Sequence, residues 1–157
     1  MDRVWLLARF ETLFPLAVEW ATGEERRILR EGVSLTAKET GDAQSLGVRQ
    51  LERVRLLQVR EIPRPTHDLL RAACDGIDFL TPATRGLALG HGIFVRTDCG
   101  RDRSLIAHEL VHTVQYERLG SIELFLRRYL IEVLTVGYPE SPLEQEAVTR
   151  SAGLLSM

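Results

Sequence analysis

Residues 104–120 of the chain read SLIAHELVHTVQYERLG. Apolar side chains recur in this segment at helical spacing and Gly120 follows them, so the segment predicts a helix that ends at the glycine. The apolar residues are Leu105, Ile106, Leu110, Val114 and Leu119. His108 and His112 are four residues apart, which places both imidazoles on one face of this helix.

Two imidazoles in this arrangement can bind one Zn²⁺ at about 2.0–2.1 Å. Glu109 projects about 100° round the helix from His108, so it can deprotonate a water on the metal without being a ligand. Zinc would lower the pKa of that water to about 7 and polarise a carbonyl. Chance alone gives about 0.01 such HExxH motifs in a chain of this composition, which disfavours two unrelated histidines on a helix.

A catalytic zinc site needs a third protein ligand and one open position. No histidine follows His112 in the sequence, so a third ligand downstream must be a carboxylate and the three-histidine pattern is excluded. Glu117 is too close on the same helix to reach the ion, and Glu123 and Glu132 fall in the next helix. The full set of candidates is Glu117, Glu123, Glu132, Glu140, Glu144 and Glu146.

The rest of the chain predicts one strand, one hairpin and further helices. Residues 48–61 predict a strand that ends before Pro63, because proline provides no ladder N–H. Residues 85–96 contain two short apolar runs around Gly90-His91-Gly92, a pattern typical of a hairpin. The further helices are expected over residues 36–45, 67–74, 104–119 and 121–136, and from Ser141 onwards. These elements indicate an α+β fold that is mainly helical.

The N-terminal segment is apolar, but charged residues interrupt it. This pattern fits neither a signal peptide nor a membrane span, so we expect a cytoplasmic protein without a membrane-spanning segment. It predicts an amphipathic helix over residues 1–21, kinked or split at Pro15, and a second helix over residues 24–31. We expect the helical region 1–34 to pack on the domain; the alternative is that its helix docks a regulatory partner.

The composition also limits the function. The chain has 157 residues, with 20 Lys and Arg against 22 Asp and Glu. This length predicts a single domain, residues 1–157, whose core folds without disulfides or a structural metal, so a bound metal would serve function. The formal charge of -2 excludes the basic footprint of a nucleic-acid-binding domain. Cys74 and Cys99 fit no disulfide framework and are predicted to be free thiols.

The HExxH helix, the connecting helix and a last helix with a glutamate shortly before Ala147 together resemble the gluzincin type of zinc metallopeptidase. The resemblance covers about residues 86–150, and residues 108–120 are also similar to a group of small bacterial HExxH domains. It implies a zincin-like fold with a small antiparallel sheet or hairpin, a Zn²⁺ cofactor and a peptide or protein substrate. It also implies that the substrate adds to an edge strand, for which we nominate residues 92–96.

The resemblance leaves two choices for the third ligand. In the Glu-x-x-Ala-Asp pattern the first glutamate binds zinc, which corresponds to Glu144, although Val148 replaces the aspartate. In the Glu-Ala pattern the ligand corresponds to Glu146. The two glutamates lie about 200° apart on a helix, so only one can face the metal, and we prefer Glu144. A competing role for Glu144 is a capping box with Ser141.

The leading hypothesis is therefore a zinc metallopeptidase in which His108, His112 and Glu144 hold the metal and Glu109 is the general base. The alternatives are a zinc-binding interaction module without catalysis and a hydrolase of non-peptide amides. Gln115 is a candidate for contacting a ligand or substrate, and Cys99 for an inhibitory thiolate. The candidates for a donor to the oxyanion are Tyr116, Tyr129, Tyr138 and His91.

Overall fold

The computed structural model describes residues 2–157. These residues form seven α-helices and four β-strands, which confirms the α+β, mainly helical class. The helices are α1 (Arg3–Ala8), α2 (Phe10–Glu31), α3 (Ala37–Leu46), α4 (Asp68–Gly76), α5 (Arg103–Leu119), α6 (Ile122–Val136) and α7 (Pro142–Leu155). The strands are β1 (Val33–Ser34), β2 (Arg55–Val59), β3 (Gly86–Leu89) and β4 (Gly92–Arg96).

The four strands form one sheet in the order β1-β2-β4-β3. β3 and β4 are an antiparallel hairpin, as predicted, but β2 and β4 run parallel. The sheet is therefore mixed, and the expectation of a small antiparallel sheet is wrong. The nomination of residues 92–96 as the edge is also wrong, because β4 lies between β2 and β3. Ile93, Phe94 and Val95 have no exposed surface, as is typical of a strand covered on both faces.

The N-terminal helices differ most from their predicted bounds. The break falls at Arg9 rather than at Pro15, and α2 continues through Pro15 and Gly23. Pro15 lies on the exposed side of α2, where water can bond the carbonyl oxygen that loses its helical partner. α2 packs against β2 and β4 with Ile28 fully buried, and this packing outweighs the low helix propensity of a single glycine. Met1, the start of the predicted helix, lies outside the described residues.

The other elements lie close to their predicted positions. The strand predicted over residues 48–61 is shorter, because β2 begins only at Arg55, after a 3₁₀ turn at Leu51–Arg53. The bounds predicted for α3 to α6 and the start of α7 agree with the structure to within two residues. Local capping explains this agreement: Thr36 and Glu39 form a capping box at α3, and Ser121 caps α6.

α5 occupies the centre of the fold. It packs against α3, α6, α7 and β3, and Leu110 and Val111 have no exposed surface. β3 is an edge strand of the sheet and lies beside α5. α1 and α2 lie against α6. None of the helices in residues 2–157 combines the length and the apolar character that crossing a membrane requires.

Candidate metal centre

The predicted metal ligands meet where α5 contacts the first turn of α7. His108 Nε2 lies 2.8 Å from Glu144 Oε1, and His112 Nε2 lies 3.3 Å from Glu144 Oε2. The two histidine Nε2 atoms are 3.2 Å apart. His112 and Glu144 are buried and His108 is half-buried. We call these three residues the ligand cluster.

The spacing of the ligand cluster fits a tetrahedral metal. Three atoms about 2.0–2.1 Å from one zinc ion, at tetrahedral angles, lie about 3.3 Å from one another. The two histidine Nε2 atoms are 3.2 Å apart, close to this value, and each lies near a different oxygen of the Glu144 carboxylate, at 2.8 and 3.3 Å. Two imidazoles and one glutamate are also a donor set that catalytic zinc sites use, with the fourth position left open. The residues present therefore fit a zinc ion.

Gln115 orients His112 within the cluster. The side chain of Gln115 has no exposed surface, and its Nε2 donates to Leu143 O at 2.9 Å and to Glu146 Oε1 at 2.7 Å. These two bonds identify the other amide atom, Oε1, as an acceptor, so His112 Nδ1 donates to it at 2.8 Å. The tautomer of a neutral His112 is thereby set: Nδ1 carries the proton and Nε2 presents its lone pair to the cluster.

Two tyrosines hold the carboxylate of the cluster. The buried Tyr129 donates its hydroxyl to Glu144 Oε2 at 2.9 Å, and Tyr138 donates to Oε1 at 3.4 Å. The ring of Phe79 packs against both tyrosine rings, with centroids 5.8 and 6.3 Å away. Tyr129 is therefore firmly bonded to the Glu144 carboxylate. Tyr138, which is 41% exposed, makes a longer hydrogen bond to it and has more room to move.

The electrostatics of the cluster favour an ionised glutamate. Burial on its own would raise the pKa of Glu144, but hydrogen bonds with His108 and His112 and their positive charge outweigh burial and lower this pKa far below the usual range. Burial likewise disfavours the charged form of His112, while Glu144 and Glu109 raise the pKa of its imidazole. An anionic carboxylate and two imidazoles are drawn together here, as cation binding requires.

Glu109 lies beside the cluster without belonging to it. Its side chain is buried, and burial raises its pKa, with the positive charges of His112 and His108 acting in the opposite direction. A Cβ atom added at Gly86 would lie 3.1 Å from Glu109 Oε1 and 3.3 Å from its Cγ. Because Gly86 has no side chain, the Glu109 carboxyl can pack closely against β3 at this position.

The alternative third ligand, Glu146, faces elsewhere. Its carboxylate accepts hydrogen bonds from Arg118 Nη1 and Nη2, each at 2.9 Å, and from Gln115. The bond from Arg118, together with that from Gln115, lowers the pKa of Glu146 to about 2 despite partial burial. The structure brings Glu144, and not Glu146, to the two histidines.

The predicted capping box at the start of α7 is wrong. Ser141 makes no capping hydrogen bond and instead donates its hydroxyl to Tyr138 O at 3.1 Å. The carboxylate of Glu132 accepts from the Leu143 N–H at 2.9 Å and satisfies that end of the helix. The side chain of Glu144 is therefore free to enter the ligand cluster.

His91 and Glu117 form a separate pair. His91 Nε2 lies 2.9 Å from Glu117 Oε2, and the same carboxylate accepts from the backbone N–H groups of Arg49 and Gln50. Glu117 thus ties the segment before β2 to α5 and the hairpin turn. This structural role accounts for both residues, which the sequence had offered as site candidates.

The remaining candidates also have other partners. Tyr116 donates its hydroxyl to Ala88 O at 3.1 Å. Cys99 Sγ accepts from Arg85 Nε at 3.4 Å and lies outside the ligand cluster. Cys74 is buried, and burial raises the pKa of its thiol to about 11. Both cysteines are free thiols, as predicted.

A large cavity is lined in part by the ligand cluster. Its volume is about 1030 Å³, and its lining comes mainly from α2, α4, α6 and β3 together with the four site residues of α5 and α7. Sequence reasoning missed this cavity, together with Phe79 and Gly86, since no spacing within the sequence indicates which helices enclose a space. Comparison of the chain with protein-family models, curated proteins and solved structures finds no match.

Proposed function

We propose that this chain is a zinc-dependent hydrolase of peptide bonds with a zincin-like fold of the gluzincin type. The observation that carries the proposal is the ligand cluster: two histidine Nε2 atoms 3.2 Å apart, each close to one carboxylate oxygen of Glu144, in the lining of a large cavity. A bound zinc ion would supply a Lewis acid that polarises a carbonyl and acidifies a water molecule.

Glu109 performs the proton transfers in this proposal. It follows His108 in α5 and lines the same cavity. Because burial raises its pKa, its carboxylate is a better proton acceptor than an exposed glutamate, and it can take a proton from the attacking water and deliver it to the leaving amine. A zinc-binding module without catalysis has no need for a buried carboxyl at this position.

The open edge of β3 provides a place for the substrate main chain. Arg96 N bonds to Arg85 O, so the alternate residues Gly86 and Ala88 direct their backbone groups away from β4. Both backbone groups of Ala88 are engaged, its O by Tyr116 and its N–H by Glu109, which leaves the groups of Gly86, next to Glu109, for a substrate. A peptide added as an antiparallel strand at Gly86 would bring its carbonyl close to the ligand cluster.

Tyr138 is the group we assign to the developing oxyanion. Its hydroxyl lies 3.4 Å from Glu144 Oε1, at the long end of hydrogen-bond distances, and its ring is partly exposed. It can therefore leave the carboxylate and donate to a charged oxygen in the cavity. Tyr129, which is buried and bonded at 2.9 Å, stays with Glu144.

Zinc stoichiometry tests the proposal. After chelation and reloading, we expect about one zinc per chain in the wild type and in Glu146→Ala, and loss of zinc in His112→Ala and Glu144→Ala. Glu109→Gln should keep its zinc and lose peptide hydrolysis, whereas Glu52→Gln, a change of an exposed glutamate, should alter neither. A folded wild type without zinc would refute the metal site, and unchanged hydrolysis in zinc-loaded Glu109→Gln would refute the role of the base.

A further inference from the structure

The cavity beside the ligand cluster is large for its site. Pockets that bind small molecules occupy about 300–1,000 Å³, so a cavity of about 1030 Å³ stands at the upper end of that range. Its lining includes the ligand cluster and side chains of α2, α4 and α6. A single amino-acid side chain of a peptide substrate would fill only a small part of it.

The cavity lining combines polar and apolar side chains. The polar part includes the imidazoles and carboxylates of the ligand cluster and Glu109. Much of the rest is apolar, including Leu13 and Phe14 of α2, Leu130 and Leu134 of α6 and Ile77 after α4. A ligand that matches both parts has a polar group joined to a long apolar chain.

The apolar part of the lining offers few hydrogen bonds to a polar ligand or to buried water. A buried water needs two to four polar partners, and the side chains named above are hydrocarbon. An alkyl chain that enters this part removes its own apolar surface from water, which contributes binding free energy in proportion to chain length. The cavity therefore favours a chain over a compact polar substrate.

We propose that the cavity binds the alkyl chain of a fatty-acyl amide and holds its amide group at the ligand cluster. The second half of this statement rests on the proposed hydrolase function and deepens it by naming a substrate class. In the reaction, the acyl carbon forms a bond to the oxygen of water and its bond to nitrogen breaks. The proton of the water passes through Glu109 to the leaving amine, and the products are a fatty acid and an amine.

A series of straight-chain alkyl hydroxamates with about 2 to 14 carbons tests chain binding and zinc binding separately. The hydroxamate group, or head, chelates zinc, and the alkyl chain probes the cavity. Calorimetric titration below the aggregation concentration gives the dissociation constant for each length. We expect affinity to rise about fourfold per methylene until the cavity is full. In zinc-free protein the dependence on chain length should persist, while the affinity contributed by the head is lost.

Each departure from these results has a distinct meaning. Affinity that depends on zinc but not on chain length would overturn the chain-binding site and leave the metal site intact. Affinity that rises with chain length but does not depend on zinc would keep the chain-binding site and refute the metal site. A rise that ends at about four carbons would overturn the acyl proposal in favour of a pocket for one peptide side chain.

Variants that fill the cavity locate the binding. Ala17 of α2 lines the cavity, and Ala17→Phe should shorten the longest chain accepted and weaken binding of the 12-carbon hydroxamate at least tenfold. Ala8→Phe, at an exposed position of α1, is the matched control and should bind as the wild type does. Should Ala17→Phe fail to fold, Leu130→Phe makes the same test from α6. Equal binding by the folded cavity variant and its control would overturn the assignment.

Discussion

We expect Gln115 to contribute to the affinity of the proposed zinc site although it is not a ligand. Its Oε1 accepts from His112 Nδ1 at 2.8 Å and keeps the Nε2 lone pair directed at the cluster. In Gln115→Leu the buried Nδ1–H has no acceptor whenever Nε2 binds a metal, which costs about 1–3 kcal/mol. In the metal-free protein His112 escapes part of this cost by moving its proton to Nε2 and donating to Glu144. The penalty therefore falls mainly on the metal-bound state.

This penalty corresponds to a loss of zinc affinity of about 10- to 100-fold, the usual effect of removing the partner of a metal-bound imidazole. Gln115→Glu restores an acceptor for Nδ1, so its zinc affinity should lie within about tenfold of the wild type. Its carboxylate cannot donate to Leu143 O and repels Glu146, so the unliganded variant should unfold at a lower denaturant concentration.

Competition with a chromophoric chelator measures the zinc affinity of each variant, and urea unfolding of the zinc-free proteins measures stability. Gln44→Leu, at an exposed position of α3, is the control for removal of a glutamine amide from a helix and should bind zinc as the wild type does. Wild-type zinc affinity in Gln115→Leu would refute the tautomer argument. Equal loss of affinity in the Leu and Glu variants would show that Gln115 acts through packing and not through its acceptor.

Three further predictions concern other contacts of the structure. Tyr129→Phe removes the 2.9 Å hydrogen bond to a ligand carboxylate and should weaken zinc binding about tenfold without a change of helix content, as measured by chelator competition and circular dichroism. Gly86→Ala should lower hydrolysis while zinc stays bound, because the new methyl group displaces the Glu109 carboxyl; equal turnover would contradict the tight approach. Hydrogen bonding to Arg103 lowers the pKa of Asp42 in the folded protein. The stability that this pair contributes is therefore complete above the pKa of Asp42 in the unfolded chain and is lost as the pH falls through its pKa in the folded protein. Urea unfolding at pH 5 and pH 3 should show that Asp42→Asn loses less free energy of unfolding between these pH values than the wild type does.

The site helices could be predicted because their signals are local. Asp102 and Ser121 accept from the backbone at the starts of α5 and α6, and Gly120 ends α5 with φ 106°. Spacing alone then placed His108 and His112 on one face of α5. Such signals need no knowledge of the rest of the fold.

The choice between Glu144 and Glu146 required tertiary contacts. Both lie in the first turns of α7, and the sequence offered Glu144 a competing role in capping. Two distant residues decide the matter: Glu132 caps α7 in its place, and Arg118 binds Glu146. Neither contact has a signature in the sequence, because Glu132 lies 11 residues from Leu143 and Arg118 lies 28 residues from Glu146.

Strand order was beyond local inference for the same reason. A hairpin predicts that β3 and β4 pair, but it does not say which of them faces β2. The structure places β4 there, in parallel, and leaves β3 as the edge beside α5. The apolar run Ile93-Phe94-Val95 was the available signal, since a strand covered on both faces is continuously apolar.

Zinc removal should leave this fold intact. In small structural zinc sites the metal supplies much of the folding free energy, and chelation unfolds the domain. Here Gln115 and Tyr129 hold His112 and Glu144 by hydrogen bonds that involve no metal, and the core extends over seven helices and a sheet. We therefore expect the circular dichroism spectrum to be unchanged after chelation, while zinc at about 1,000 times its dissociation constant adds about 4 kcal/mol to the free energy of unfolding. Loss of helix content on chelation would show that the ligand cluster is a structural site, and the case for an open catalytic position would fall with it.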